Sequence, residues 1–487
     1  DPKLSDRLAR MVRGSRAKRE WKRLKRFHLH SVPIPEPVLW AEGSDPNLGP
    51  KSLVLTKFIE SSYTLGDILD GKKEVPGRWK LIQSGGIALA KMHSIGARHD
   101  DLHAGNLLVT YRKEEPDVLI MDLHQVRLRM GLTWNARLKN LATLFGGLRW
   151  KLTEREKHHG LKGYLQTLTD WNPPFRSERE ARYSMGRGLE KFGRTYYRKR
   201  CRQRIAKCQE SGKRFQRIQT GEYAGWVRGE WNSPDLLERL ENPNSWIESV
   251  DCRVLKHTPT TTVARAKFDA EKPALFLKRY NRKDWWEKTK NLFRYSRAMK
   301  VWRAGYGLEV MEIPTPKVVA ALEKRKGPIL LESFILTEWT EGGIGLDDFW
   351  NERATEGSSN PFTPEERKVL RREVARLFGR LHDMRVSHGD LKGRNVLIDP
   401  SAPSPYNPEF VDLDAIQLRP WRFKRSRIND LSRLLFSVYP NAPLLTQVRF
   451  FRDYCGQDRT LWDQRKEWFA RIQKRTRRKL REKGLVG

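Results

Sequence analysis

The feature that most constrains this chain is an internal repeat. The segment His99-Asp-Asp-Leu-His-Ala-Gly-Asn-Leu-Leu has a counterpart in His388-Gly-Asp-Leu-Lys-Gly-Arg-Asn-Val-Leu. His99, Asp101 and Asn106 thus recur 289 positions later as His388, Asp390 and Asn395. Downstream, Leu-Ile-Met-Asp122-Leu-His is echoed by Glu-Phe-Val-Asp412-Leu-Asp. Upstream, Ser15-Arg-Ala, Trp21, Val32-Pro-Ile-Pro and Leu55-Thr-Lys-Phe-Ile-Glu match Ser296-Arg-Ala, Trp302, Ile313-Pro-Thr-Pro and Leu336-Thr-Glu-Trp-Thr-Glu, all at an offset of 281. The change of offset places an insertion of about eight residues around Gly357-Ser-Ser-Asn-Pro-Phe. Ordered matches of this extent read as a tandem duplication, so the fold must fit twice into 487 residues.

Both copies share a coarse layout. The runs Ser52-Leu-Val-Leu-Thr and Ser333-Phe-Ile-Leu-Thr read as strands. A helix precedes each His-x-Asp segment. In the second copy it opens at Thr363-Pro-Glu-Glu, with a capping Thr, a Pro at the first helical position and a capping Glu. Its apolar face follows as Leu370, Val374, Leu377 and Leu381. Phe410-Val-Asp412 reads as a short strand, and further helices start near Arg137 and Arg427. Basic, helical sequence fills Arg187 to Arg217, and a strand-like pattern begins around Gly221, so the boundary is placed at 218/219. The second copy has strand-like Thr262–Phe268 and Pro273–Tyr280 before its Ser296. The first has fourteen residues before Ser15 and starts with Asp, which reads as a fragment or as loss of half a small lobe.

A loop Asp, an Asn five residues on, and another Asp sixteen or seventeen residues later form a phosphoryl-transfer constellation. Asp390, and Asp101 in the first copy, would orient a nucleophilic hydroxyl and accept its proton. Asn395 with Asp412, and Asn106 with Asp122, would offer hard oxygen ligands to Mg2+ on the ATP phosphates. Lys392 is placed to reach the transferring phosphoryl group. Lys278, ending an apolar strand, is the candidate that grips the α- and β-phosphates. Glu338-Trp-Thr340-Glu is the expected hinge beside adenine.

The two His-x-Asp segments, together with Ser15-Arg-Ala-Lys-Arg-Glu-Trp21 before Pro-x-Pro, resemble the lipopolysaccharide kinase family of Kdo and core-heptose kinases. The likeness covers most of both copies, although the His-x-Asp piece is shared with aminoglycoside phosphotransferases. It implies an α+β chain of two tandem protein-kinase-like bilobal domains. Residues 1–218 would lack most N-terminal-lobe strands, and 219–487 would be complete. It also implies ATP with Mg2+ and, as acceptor, a sugar hydroxyl on the lipopolysaccharide core.

Departures from the kinase pattern are equally legible. Glu20 stands where a helix Glu usually pairs with the strand Lys, but its counterpart in the second copy is Val301, with Glu309 or Glu312 as the substitutes at hand. The first copy lacks an obvious phosphate-gripping lysine; Lys3 is the nearest. His257-Thr-Pro-Thr-Thr-Thr-Val263 replaces a glycine-rich loop, and Asp412-Leu-Asp414 and Asp122-Leu-His124 replace Asp-Phe-Gly. The second copy is therefore expected to be the better-equipped site.

Charge enters last. With 95 Lys plus Arg against 59 Asp plus Glu, the net charge of +36 suits an anionic partner such as a glycolipid or an acidic membrane surface. Nucleic acid ranks lower, since no reading motif accompanies the charge. No apolar run is long enough to span a membrane, the N-terminus has no signal-peptide core, and four scattered cysteines fit a cytoplasmic setting. Three function classes follow: a glycolipid sugar kinase, a kinase of a protein or soluble small molecule, and a catalytically silent kinase-fold binding protein.

Overall fold

Helix α1, Arg16–Leu29, begins where the sequence supplies a cap: the Ser15 hydroxyl accepts a hydrogen bond from the Lys18 N–H at 3.0 Å. The computed structural model describes residues 15–45, 47, 49–60, 62–112, 115–168, 175–281, 295–402, 406–456 and 458–486. Lys3 lies outside them. The chain divides into two units between Lys199 and Arg200, and both mix helix and sheet in an α+β arrangement.

In the first unit, α1 buries Ala17, Leu24 and Phe27. Strands β1 (Pro37–Asp45) and β2 (Gly49–Thr56) form an antiparallel hairpin. Among the described residues it is the only strand pairing that precedes the Tyr63–Thr64 strand. Helix α2 (Arg78–Ser94) then leads through His99 to β3 (Leu107–Arg112) and β4 (Glu115–Ile120), which pair antiparallel. Helices α3 (Trp134–Leu148), α4 (Glu154–Thr167) and α5 (Glu178–Ala206) follow, α5 running across the division. Helices α2 and α4 approach through glycine: a Cβ on Gly86 would stand 2.2 Å from the Gly160 carbonyl oxygen.

The second unit opens with β5 (Phe215–Thr220) and β6 (Tyr223–Arg228), joined by a turn in which Gly221 takes a φ of 51°. Strands β7 (Cys252–Thr258), β8 (Thr261–Ala266) and β9 (Leu275–Tyr280), helix α6 (Arg297–Val310), and strands β10 (Val318–Lys326) and β11 (Ile329–Glu338) follow. The seven strands form one antiparallel sheet in the order β7-β8-β9-β11-β10-β6-β5. Leu275 and Leu277 join Phe334 and Leu336 in a core that also takes Leu236 and Trp246. Side-chain alternation sends Phe276, Lys278 and Tyr280 to the opposite face.

Beyond the sheet come α7 (Pro364–Asp383), β12 (Val396–Ile398) paired with β13 (Glu409–Phe410), α8 (Phe423–Ser437), α9 (Leu444–Cys455) and α10 (Arg465–Glu482). Helix α7 carries the expected capping box between Thr363 and Glu366, and Leu370, Val374, Leu377 and Leu381 are buried. No described helix is long and apolar enough to cross a membrane.

Three expectations need correction. The strand β5 spans the 218/219 boundary and pairs with β6, so the division falls before it rather than inside it. The basic stretch from Arg187 is helical to Ala206, but Phe215–Arg217 is strand. The helices expected near Arg137 and Arg427 begin a turn earlier, at Trp134 and Phe423.

Candidate active site

In the second unit, α7 ends at Asp383 and the chain turns into the His388–Asn395 loop. Two hydrogen bonds fasten this loop to the segment carrying Asp412: His388 Nε2 lies 3.0 Å from the Val411 carbonyl, and the Val411 N–H donates to the Asn395 carbonyl at 3.0 Å. The Asn395 amide donates to the Asp390 carbonyl at 2.7 Å. With its nitrogen so engaged, Asn395 has its side-chain oxygen left to offer as a hard ligand. Asp412 sits in the left-handed region, φ 54° and ψ 64°, a conformation costing a non-glycine residue about 1 kcal/mol or more.

Buried Asp430 on α8 organises the same loop. It accepts from the Ser387 hydroxyl at 2.8 Å and from the N–H groups of His388 and Gly389 at 3.0 and 3.1 Å, and it pairs with His382 at 3.3 Å. Burial alone would push its carboxyl up, but the bonds from His382 and Ser387 outweigh it and hold the group below the usual carboxylate range. Burial in turn keeps His382 and His388 below the ordinary imidazole value.

Lys278 reaches this region from β9. Its Nζ lies 2.7 Å from Asp412 Oδ1 and 2.9 Å from Asp414 Oδ2. Asp414 also accepts from the Tyr280 hydroxyl and, at 2.7 Å, from Arg297 at the start of α6. Burial opposes the Lys278 ammonium, yet Asp414 and Asp412 prevail and raise it above its ordinary value. Burial likewise works against the Asp414 carboxylate, and Lys278 with the Tyr280 bond brings it below its usual range. Of the substitute partners for Lys278, Glu309 is tied to Arg228 at 2.5 Å, and Asp414 supplies the carboxylate that position 301 lacks.

Asp390 faces two cations, Lys392 Nζ at 3.1 Å and Arg433 Nη1 at 3.4 Å. Lys278, Asp412, Asn395, Asp390 and Lys392 therefore gather in one place. Glu338 ends β11 and Thr340 follows it; the Glu338 N–H donates to Lys317 O at 2.9 Å and the Thr340 hydroxyl bonds Glu409. The Trp339 N–H donates to the Ala274 carbonyl at 2.7 Å, so the N–H groups of both Glu338 and Trp339 are already engaged. The β7–β8 turn is stapled on itself, Thr258 Oγ1 accepting from the Thr261 N–H at 3.1 Å.

The first unit repeats the backbone frame with different side chains. Asn106 donates to the Asp101 carbonyl at 3.0 Å, His99 Nε2 lies 3.1 Å from Met121 O, and Asp122 is left-handed at φ 60° and ψ 48°. Asn140 stands in for Asp430, bonding the His99 carbonyl at 2.7 Å. His103, 3.6 Å from Asp101, stands in for Lys392, and Thr143 for Arg433. Glu20 on α1 faces His124 and Asp122 rather than a strand lysine. Burial pushes its carboxyl up, with His124 opposing the shift. His124 itself contacts Asp122.

The geometry can be set beside known proteins. The model of the lipopolysaccharide kinase (Kdo/WaaP) family matches residues 4–164 and 247–454 of this chain. The chain belongs to this family. A 3-deoxy-D-manno-octulosonic acid kinase of Actinobacillus succinogenes is 28% identical over 163 residues, 31% of this chain and 65% of that protein. The match thus spans just under two thirds of that relative's length. A solved structure of WaaP in complex with acyl carrier protein aligns with 50% of this chain and 95% of that chain, at 23% identity and a TM-score of 0.39.

In this lipopolysaccharide kinase family member, Glu20, Asp101, Asn106, Asp122, Lys278, Glu338, Thr340, Asp390, Lys392, Asn395 and Asp412 all fall inside the two matched stretches, whereas Lys3 and the basic stretch from Arg187 fall outside them. The residues that sequence reasoning missed are Asp414, Tyr280, Arg297, Asp430 and Arg433. One signal for Asp430 was available: the repeat aligns Asn140 with Asp430 and His93 with His382, and within each unit the two are hydrogen bonded, His93 to Asn140 at 3.0 Å and His382 to Asp430 at 3.3 Å. Arg433 carried no such signal, because its counterpart is Thr143.

Proposed function

We propose that this chain is an ATP-dependent phosphotransferase that phosphorylates a sugar hydroxyl of a lipopolysaccharide-core glycolipid. Its two units are two copies of one kinase-like fold, and the chemistry belongs to the second. The observation that carries this reading is the Lys278–Asp412 contact at 2.7 Å, which joins the strand lysine to the loop constellation. The family's name and the kinase activity of the curated relative point the same way.

Among the described residues, no group of three or more His, Cys, Asp or Glu could hold a metal by itself. That fits Mg2+, which commonly takes one or two protein oxygens and completes its shell with phosphates and water. Asn395 and Asp412 would be those ligands, and the ion would neutralise charge developing on the phosphoryl oxygens. Lys278 would exchange a carboxylate contact for α- and β-phosphate oxygens when ATP enters. Asp390 would hold the acceptor hydroxyl in line and take its proton as oxygen bonds to the γ-phosphorus and the bond to ADP breaks. Lys392 would steady the phosphoryl group in flight. Glu338 to Thr340 would meet the base through backbone atoms. In the first unit, Asp101, Asn106, Asp122 and Glu20 keep the frame of a site, but no lysine takes the place of Lys278 among the described residues. We place the protein peripherally at the cytoplasmic face of the inner membrane.

The test is transfer of radiolabelled γ-phosphate from ATP to core glycolipid. Asp390→Asn should lower the rate by about a hundredfold or more, whereas Asp101→Asn should leave it within about twofold. Equal losses in the two variants, or no transfer by the wild type, would overturn the assignment.

A further inference from the structure

Helices α8 and α10 lie side by side in the second unit, and small hydroxyl residues sit at their crossing. Ser432 Oγ lies 3.3 Å from the Ile472 carbonyl, and Thr476 Oγ1 lies 3.5 Å from the Ser432 carbonyl. Next to the crossing the two helices enclose an open groove of about 1010 Å³. Eight of its twelve lining residues are Lys or Arg, from both helices. Helix α10 alone carries nine cationic residues against two carboxylates. Those two carboxylates, Glu467 and Glu482, pair with Arg471 and Arg478. Among the described residues, Lys424, Arg425, Lys474 and Arg477 have no carboxylate partner, and Arg475 Nε is shielded from solvent with no hydrogen-bond partner.

A solvated basic helix face would spread such charges outward, where water screens them. Here they converge on a concavity, and the mutual repulsion is visible. Burial and the neighbouring Arg478, Arg425 and Arg433 bring the guanidinium of Arg475, which lines the groove, below its ordinary value. An anion in the groove would relieve that repulsion, and guanidinium forks match phosphate and carboxylate oxygens two at a time.

The groove also has a direction. Arg425 and Asn429 line it, and Arg433 is the next residue on the same α8 row, at i, i+4 and i+8. Arg433 is the residue 3.4 Å from Asp390 Oδ1. In the first unit the corresponding position is Thr143, which bonds the Leu102 and Asn140 carbonyls instead. Helix α10 lies beyond residue 454, outside the stretch that matches the family.

We propose that the α8–α10 groove binds the phosphate and carboxylate groups of the acceptor saccharide, and that Arg433 marks the end from which its hydroxyl meets Asp390. This rests on the kinase reading for the hydroxyl's fate, but not for binding. The test is calorimetric titration of the full chain with a delipidated, phosphate-bearing core oligosaccharide. Lys474→Glu/Arg477→Glu should weaken Kd about tenfold or more, and Lys474→Arg/Arg477→Lys should restore it. The dephosphorylated oligosaccharide should bind the wild type as weakly as the intact one binds the Glu variant. Acceptor-free ATP hydrolysis should be unchanged by either pair. Absence of hydrolysis in the wild type would sink the kinase reading while the titration still judged the groove. An unchanged Kd for the oligosaccharide in the Glu variant would overturn the groove proposal. So would a loss confined to phosphatidylglycerol vesicles, which would make the face a membrane contact, or one confined to duplex DNA.

Discussion

Lys278 and Tyr280 meet the same carboxylate because a strand repeats its side-chain direction every two residues. Asp414 receives them, together with Arg297, because the left-handed turn at Asp412 swings the next residues back toward the sheet. The gap at Val301 was readable in the sequence; its filling was not, since a residue's neighbours after a left-handed turn depend on where the sheet lies. Removing the Asp414 charge should leave Lys278 held by Asp412 alone. Asp414→Asn is expected to raise KM for ATP about tenfold, the scale of one charge-assisted hydrogen bond. Asp414→Glu should recover part of it, and initial rates over a range of ATP concentrations check both. If KM stayed put in Asp414→Asn, Asp414 would be a structural ion-pair partner with no hold on the nucleotide.

At the scale of elements, helix ends were the most legible features. The Thr363–Glu366 capping box forms as its spacing requires, with the Glu366 N–H donating to the Thr363 hydroxyl at 3.2 Å. How helices cross was hidden, because a glycine inside a helix does not say what it faces. Gly86 faces the backbone of α4, and a methyl there would collide with the Gly160 carbonyl, which has no rotamer to escape into. Gly86→Ala should therefore destabilise the first unit by about 1–3 kcal/mol, read as a lower urea midpoint for its unfolding. Gly71→Ala, whose Cβ would have nothing within 4 Å but whose φ is +78°, should also destabilise, through backbone strain instead. A Gly86→Ala midpoint equal to wild type would show that α2 and α4 can separate without cost.

Across the whole molecule, buried imidazoles tie stability to pH. Burial holds His99 in the first unit, and His382 and His388 in the second, below the ordinary value near 6.5. Their stabilising contribution is complete above pH of about 6.5. It is lost as pH falls from there through the lowered folded values, because the unfolded chain takes up protons that the folded chain refuses. Each histidine contributes a slope of up to about 1.4 kcal/mol per pH unit in that window. Urea midpoints measured between pH of about 7.5 and 5.5 should decline, and a flat profile would show that these imidazoles are not held neutral by the fold.

The repeat, the loop constellation and the caps were set by sequence alone, because each depends on residues close together in the chain or on likeness between two stretches of it. The chain's division was displaced from 218/219, since strand β5 is claimed by a partner, β6, whose pull local pattern does not reveal. The partner of Lys278, the buried hub at Asp430 and the groove between α8 and α10 were decided only by the tertiary structure. Each joins residues more than forty positions apart, or opposes faces of two helices, and their meeting depends on packing that no local spacing encodes.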